Sequence, residues 1–132
     1  MLRVKGLFNV LPGKTVRVFT TTRSSAKQQF ILIARDYKDP EVMDRRLSVR
    51  ADHLARAQEL KKTGQILMGG AILSPSSGLE SSSTPGKMIG SIMIMEAKDE
   101  AEVRRLLRDD PYVTGKVWET MEILPFKVAL KE

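Results

Sequence analysis

Apolar residues in this chain come in short runs of strand length, separated by longer stretches of mixed polarity. Phe30-Ile-Leu-Ile-Ala34, Ile66 to Leu73, Met88 to Glu96 and Val117 to Phe126 are the runs, and each predicts a strand. Between the first two, Glu41 to Thr63 predicts a long helix. Asp39-Pro40 opens it and Gly64 stops it in the position of a left-handed cap, with Lys61 and Lys62 opposing the dipole in the last turn. Met43, Leu47, Ala51, Leu54 and Gln58 fall on one stripe of that helix, the stripe an amphipathic helix would turn to a core. A second helix is expected from Asp99-Glu100 to Arg108, with acids in its first turn and arginines towards its end, and Asp109-Asp110-Pro111-Tyr112 breaks it. Gly69-Gly70, inside the second strand, suggests a bulge or a close approach by something else, such as a ligand.

The order is βαββαβ, which predicts an α+β, ferredoxin-like arrangement with two helices against one four-stranded antiparallel sheet. In such a fold the helices cover one sheet face, and the other should be polar if the chain works alone. It is not polar. Strand three carries Ile89, Met93 and Met95 on one side and Met88, Ile92 and Ile94 on the other. A second apolar face of several hundred Å2 is a liability in water, so a homodimer packed sheet to sheet, a dimeric α/β barrel, is expected.

Two segments stand outside this pattern. Ser74 to Lys87 holds six serines, two prolines and two glycines, a composition for a long loop that is either disordered or a cover over a site. Residues 1–28 carry Arg3, Lys5, Lys14, Arg17, Arg23 and Lys27 with no acid, and Val4, Leu7, Phe8 and Leu11 lie on one helical face before Pro12-Gly13. That is the composition of a mitochondrial presequence, which places the protein in the matrix; a basic tail without an address is the alternative. The domain then runs over residues 29–132.

Charge and composition narrow the function. The formal net charge is +6, but six of the 22 basic residues lie in the arm, leaving 16 against the 16 acidic ones in the remainder. The body has no basic stripe interleaved with aromatics, so no nucleic-acid partner is expected. There is no cysteine and only one histidine, which removes disulfides, thiolate nucleophiles, Cys-ligated metals and a His-rich metal site within one chain. No apolar run reaches the length of a membrane span. The partners expected are a second copy and a small molecule.

Candidate chemistry gathers on the long helix. His53, the single histidine, lies about 20° round the wheel from Arg46 and about 60° from Arg50, so one edge offers an imidazole flanked by two guanidinium groups. Arg50 and Arg46 are candidates to hold an anionic or enolate oxygen as charge develops. The plainer reading is a histidine at the edge of a core beside arginines that are solvated or paired with Glu41 or Asp44. Tyr112 either packs beneath the Asp-Pro turn or orients its aspartate, and Ser74 is a candidate to offer a hydroxyl to a ligand. Met68, Met88, Met93 and Met95 read as packing, and Trp118 as a buried anchor.

Arg46-Leu-Ser-Val-Arg50, His53-Leu-Ala-Arg56 and Gly64-x-Ile-Leu with Gly70 resemble the YCII-related (YciI-like) proteins. Gly90-Ser91, Asp109-Asp110-Pro111-Tyr112-Val113, Val117 and Pro125-Phe126-Lys127 continue the resemblance, which covers about residues 30 to 130. It implies a dimeric α/β barrel related to muconolactone isomerase-like proteins, with a His–Asp pair as the active centre; the matching positions are His53 and Asp110. It also implies cofactor-free proton transfer of the elimination or isomerisation type on a small oxygenated acid or aromatic, as in the similar dehydrochlorinase that acts on chlorinated hydroxyhydroquinones. The alternative is a non-catalytic dimer of the same fold that binds a small ligand or serves as a scaffold. The presequence-like arm and the serine-rich loop depart from the compact bacterial pattern.

Overall fold

The computed structural model describes residues 26–75 and 87–131. The presequence-like arm up to residue 25 and the serine-rich stretch 76–86 lie outside the described residues. The elements are β1 (Gln28–Asp36), α1 (Val42–Lys62), β2 (Ile66–Leu73), β3 (Met88–Ala97), α2 (Glu100–Arg108), the single turn α3 (Pro111–Thr114) and β4 (Trp118–Phe126). One sheet in the order β2-β3-β1-β4, antiparallel at every pairing, carries the helices on one face. This is the α+β ferredoxin-like fold. Among the described residues no helix is long and apolar enough to cross a membrane.

Local chemistry sets the element ends. Gly64, at φ 82°, lets the chain turn left-handed after α1. Its N–H donates to the Lys61 carbonyl at 3.0 Å and that of Gln65 to the Leu60 carbonyl at 2.9 Å, the paired bonds of a Schellman motif. Asp99 caps α2 by accepting the Glu102 N–H at 2.9 Å. The glycine pair in β2 is not a bulge; the register slips instead between Ile66 and Met68 and between Ile72 and Leu73.

The core lies between the sheet and the helices. Phe30, Leu32 and Ala34 of β1, Met93 and Met95 of β3 and Ile123 of β4 meet Val103 and Leu107 of α2. The face of α1 that joins them is not the expected one. Leu47 and Leu54 of the anticipated stripe are 55% and 42% exposed. The inward series is Val42, Arg46, Val49, His53, Ala57 and Leu60, whose two fully buried members are Arg46 and His53. The stripe is thus displaced by one residue, about 100° round the helix. The physical reason is that a guanidinium and an imidazole occupy core positions, which is tolerable only because each is met by a buried carboxylate.

Candidate active site

His53 sits on the inward face of α1 with only 6% of its surface exposed. Its Nδ1 lies 2.8 Å from Asp110 Oδ1. The same oxygen accepts the Tyr112 backbone N–H at 2.8 Å, because Asp110 is the N-cap of α3 and Pro111 follows it as the first helical residue. A carboxylate only accepts, so the proton of the neutral ring belongs on Nδ1 and the Nε2 lone pair is left over. The other carboxylate oxygen, Oδ2, faces Arg56 Nη1 at 3.9 Å, while Arg56 Nη2 donates to the Leu106 carbonyl at 2.6 Å. Asp110, 2% exposed, thus stands between an imidazole and a guanidinium.

Aromatic rings fix the imidazole plane. Tyr112 stacks on it with centroids 3.8 Å apart and planes inclined by 14°, and Trp118 meets it edge-on at 5.8 Å. The guanidinium of Arg46 lies over the Tyr112 ring, 4.5 Å from its centroid. Burial pushes the Tyr112 phenol above its usual range, and the charges of Arg46 and Arg50 oppose that shift.

Arg46 occupies a different place from the solvated edge considered for it. It is 2% exposed, and Nη1 donates to both oxygens of Asp36 at 2.9 and 2.8 Å. Nη2 donates to the Gly90 carbonyl at 3.1 Å and to Ser91 Oγ at 3.0 Å. The expected partners Glu41 and Asp44 are not used. Burial raises the Asp36 carboxyl above its usual range, with the Arg46 charge and hydrogen bond pulling the other way. Gly90 has to be bare, because a Cβ there would run into the Ala34 carbonyl oxygen of the neighbouring strand.

A cleft of about 430 Å3 opens between α1 and the edge formed by β2 and β3. Arg46, Arg50, His53 and Tyr112 all line it, so the structure brings together four of the residues singled out in the sequence, with Asp110 directly behind the ring. Ser74 does not line it. It follows the end of β2, where its N–H donates to the Lys87 carbonyl at 2.8 Å. Gly69 and Gly70 form part of the wall. Among the described residues no Asp or Glu lines it, and Arg50 and Lys61 line it with no ion pair. The apolar side chains of the wall are those of Leu54, Ala57, Ile66 and Met93.

Asp36, Ser91 and Arg56 were not among the site residues anticipated from sequence. The first two had a signal: Asp36 is in phase with Phe30, Leu32 and Ala34, and Ser91 with Met93 and Met95, so both are polar residues on an inward strand face. Arg56 had only its place in the His53-Leu-Ala-Arg56 motif.

A small ferredoxin-like α+β domain with a histidine and an aspartate paired at the wall of a helix–sheet cleft is the class of protein that fold and site define. The chain belongs to the YCII-related domain family, whose profile matches residues 29–127. Protein YciI of Escherichia coli is 34% identical over 100 residues, which cover 74% of this chain and 95% of that protein. An uncharacterized protein of Haemophilus influenzae is 30% identical over 98 residues, again 74% of this chain and 95% of its own length. Among solved structures, the 5-chloro-2-hydroxyhydroquinone dehydrochlorinase TftG of Burkholderia phenoliruptrix, in complex with 2,5-dihydroxybenzoquinone, is similar. It is 28% identical with a TM-score of 0.59, and the match covers 74% of this chain and 93% of TftG.

Proposed function

We propose that this protein is a cofactor-free enzyme in which His53, oriented by Asp110, moves a proton to and from a small oxygenated acid or aromatic. The observation that carries the reading is the 2.8 Å contact between His53 Nδ1 and a buried carboxylate, with the ring on the wall of the cleft. Nε2 removes a proton from a carbon beside a carbonyl or from a phenolic oxygen. The electron pair moves towards oxygen or expels a leaving group, and the imidazolium that forms is balanced by Asp110. Arg50 supplies positive charge for an anionic oxygen. The dehydrochlorinase activity of TftG, on the same fold, supports an elimination of this kind.

Exchange chemistry tests this without knowledge of the natural substrate. With 2,5-dihydroxybenzoquinone in D2O, the protein should accelerate loss of the ring-hydrogen NMR signal, because exchange at that carbon needs a proton both delivered and removed. Hydroxylated benzoic acids extend the panel. A rate equal to buffer across it would count against proton transfer and favour a ligand-binding domain without catalysis.

The working form on this reading is a homodimer joined through the open sheet face. Ile31 and Ile33 of β1, Ile92 and Ile94 of β3, Met68 of β2 and Leu124 of β4 share that face, and Met68 and Leu124 are 65% and 41% exposed. Their polar neighbours Gln29 and Glu122 lie on the same side. A second copy of this face is the occupant that matches it in shape and polarity, and a stable pair buries about 800 Å2 per partner. Ile31 lies between Ile94 and Leu124, so Ile31→Glu is expected to give a folded monomer by sedimentation where the parent is a dimer. A parent that sediments as a monomer would remove the barrel.

The acid-free arm supports import into the mitochondrial matrix. Residues 1–28 fused to a fluorescent reporter should direct it to mitochondria, and Arg3→Glu with Lys5→Glu should abolish that; a reporter that stays cytosolic refutes the address.

A further inference from the structure

Ser91 is 3% exposed, lines the cleft and receives two hydrogen bonds on its hydroxyl oxygen. Arg46 Nη2 donates to it at 3.0 Å and Trp118 Nε1 at 3.1 Å. A serine hydroxyl has two lone pairs and one proton. Guanidinium and indole N–H groups are donors with nothing to accept, so both lone pairs are taken and neither partner can receive the proton. No described residue accepts a hydrogen bond from Ser91 Oγ. A buried donor left unmet costs free energy of the order of a lost hydrogen bond, and the direction open to this one is the cleft.

We propose that Ser91 is an obligate hydrogen-bond donor to an oxygen of the cleft ligand, and that the ligand is a flat, apolar-bodied molecule bearing a carbonyl or anionic oxygen. This rests on the reading of the cleft as the substrate site. The wall agrees with that class: among the described residues it has Arg50 and Lys61 without an ion pair, the apolar side chains of Leu54, Ala57, Ile66 and Met93 for the ligand body, no acid, and a low profile where Gly69 and Gly70 pass. Ser91 and His53 are tied together through shared neighbours. Trp118 bonds Ser91 and touches the His53 ring, and Arg46 bonds Ser91 and lies over the Tyr112 ring that stacks on His53. The donor and the Nε2 lone pair thus belong to one packed cluster. As charge develops on the ligand oxygen during proton removal, the Ser91 bond strengthens, the behaviour of an oxyanion donor. Arg46 then acts through Ser91 as a positioning residue, since its amino groups are held by Asp36, Gly90 and Ser91.

The probe is 4-nitrophenolate, a planar oxyanion whose absorption moves to shorter wavelength when its oxygen accepts a hydrogen bond. Bound to the parent protein it should absorb at shorter wavelength than when bound to a variant without the hydroxyl. Ser91→Ala should lose the shift and bind about ten- to a hundredfold more weakly, the scale of one hydrogen bond to a charged acceptor. Ser91→Thr, which keeps the hydroxyl, should regain it. If Ser91→Ala fails to fold because its donors are stranded, Ser91→Ala with Trp118→Phe removes one of them and carries the same expectation. Bound dye that absorbs alike in the parent and in the variant lacking the hydroxyl overturns the proposal, as does a parent that does not bind the dye. The dye surrenders no carbon-bound proton, so a Ser91-dependent shift without His53-dependent exchange would keep this donor and remove the proton-transfer reading. The reverse pair of results would remove Ser91 alone.

Discussion

Replacing His53 with asparagine is expected to slow ring-hydrogen exchange, or any other turnover at this cleft, by about 10²- to 10⁴-fold, the usual contribution of a positioned acid–base group. The asparagine amide can take the place of Nδ1 and still donate to Asp110 Oδ1, whereas nothing replaces Nε2. Unfolding should therefore remain cooperative, with a modest fall in melting temperature from losing the 3.8 Å stack on Tyr112. His53→Ala removes the base and also takes the 2.8 Å partner from Asp110, so it should melt lower than His53→Asn at similar residual activity. That ordering separates the two roles of the ring. Unchanged turnover in His53→Asn would end the assignment of His53 as base; full activity loss only in variants that no longer fold would make the residue structural.

Truncation of Asp36 to alanine should be among the most damaging single changes to stability, costing about 3–5 kcal/mol. The carboxylate meets Arg46 twice, and the two side chains are 4% and 2% exposed, so its removal strands a guanidinium in the core. Burial pushes the Asp36 carboxyl up against the pull of Arg46, and an intact buried pair of this kind typically adds little net stability, because desolvation offsets the attraction. The two facts are compatible: the pair adds little, while half of it subtracts much. Asp36→Leu combined with Arg46→Met should recover a good part of the loss in chemical denaturation, though Gly90 and Ser91 still lose their donor. A single variant within 1 kcal/mol of the parent, on the scale of an exposed pair, would show that Arg46 finds water or another acceptor when Asp36 is gone.

Sequence pattern carried the architecture well because strand length, turn chemistry and the Gly64 stop are local properties. It misplaced the buried face of α1 for a reason that is also the reason for the site. Arg46 and His53 occupy positions where periodicity looks for leucine, and what permits them lies far along the chain: Asp36 ten residues before Arg46 and Asp110 57 residues after His53. The Asp110 partnership came from resemblance to a family, not from spacing, and the contact in the structure supplies the geometry. Ser91 illustrates the limit. Its phase in β3 marks it as inward, but the saturation of its lone pairs depends on Trp118 and Arg46 arriving from two other elements.

Asp110 Oδ1 holds the first turn of α3 and the imidazole of His53 at the same time. One atom thus serves as both hinge pin and tuning peg. Natural drift cannot redesign that corner of the backbone while leaving the base untouched, nor retune the base through this carboxylate while leaving the corner alone. Changes in what the cleft accepts are therefore expected on the opposite wall, along β2, where no side chain orients the base.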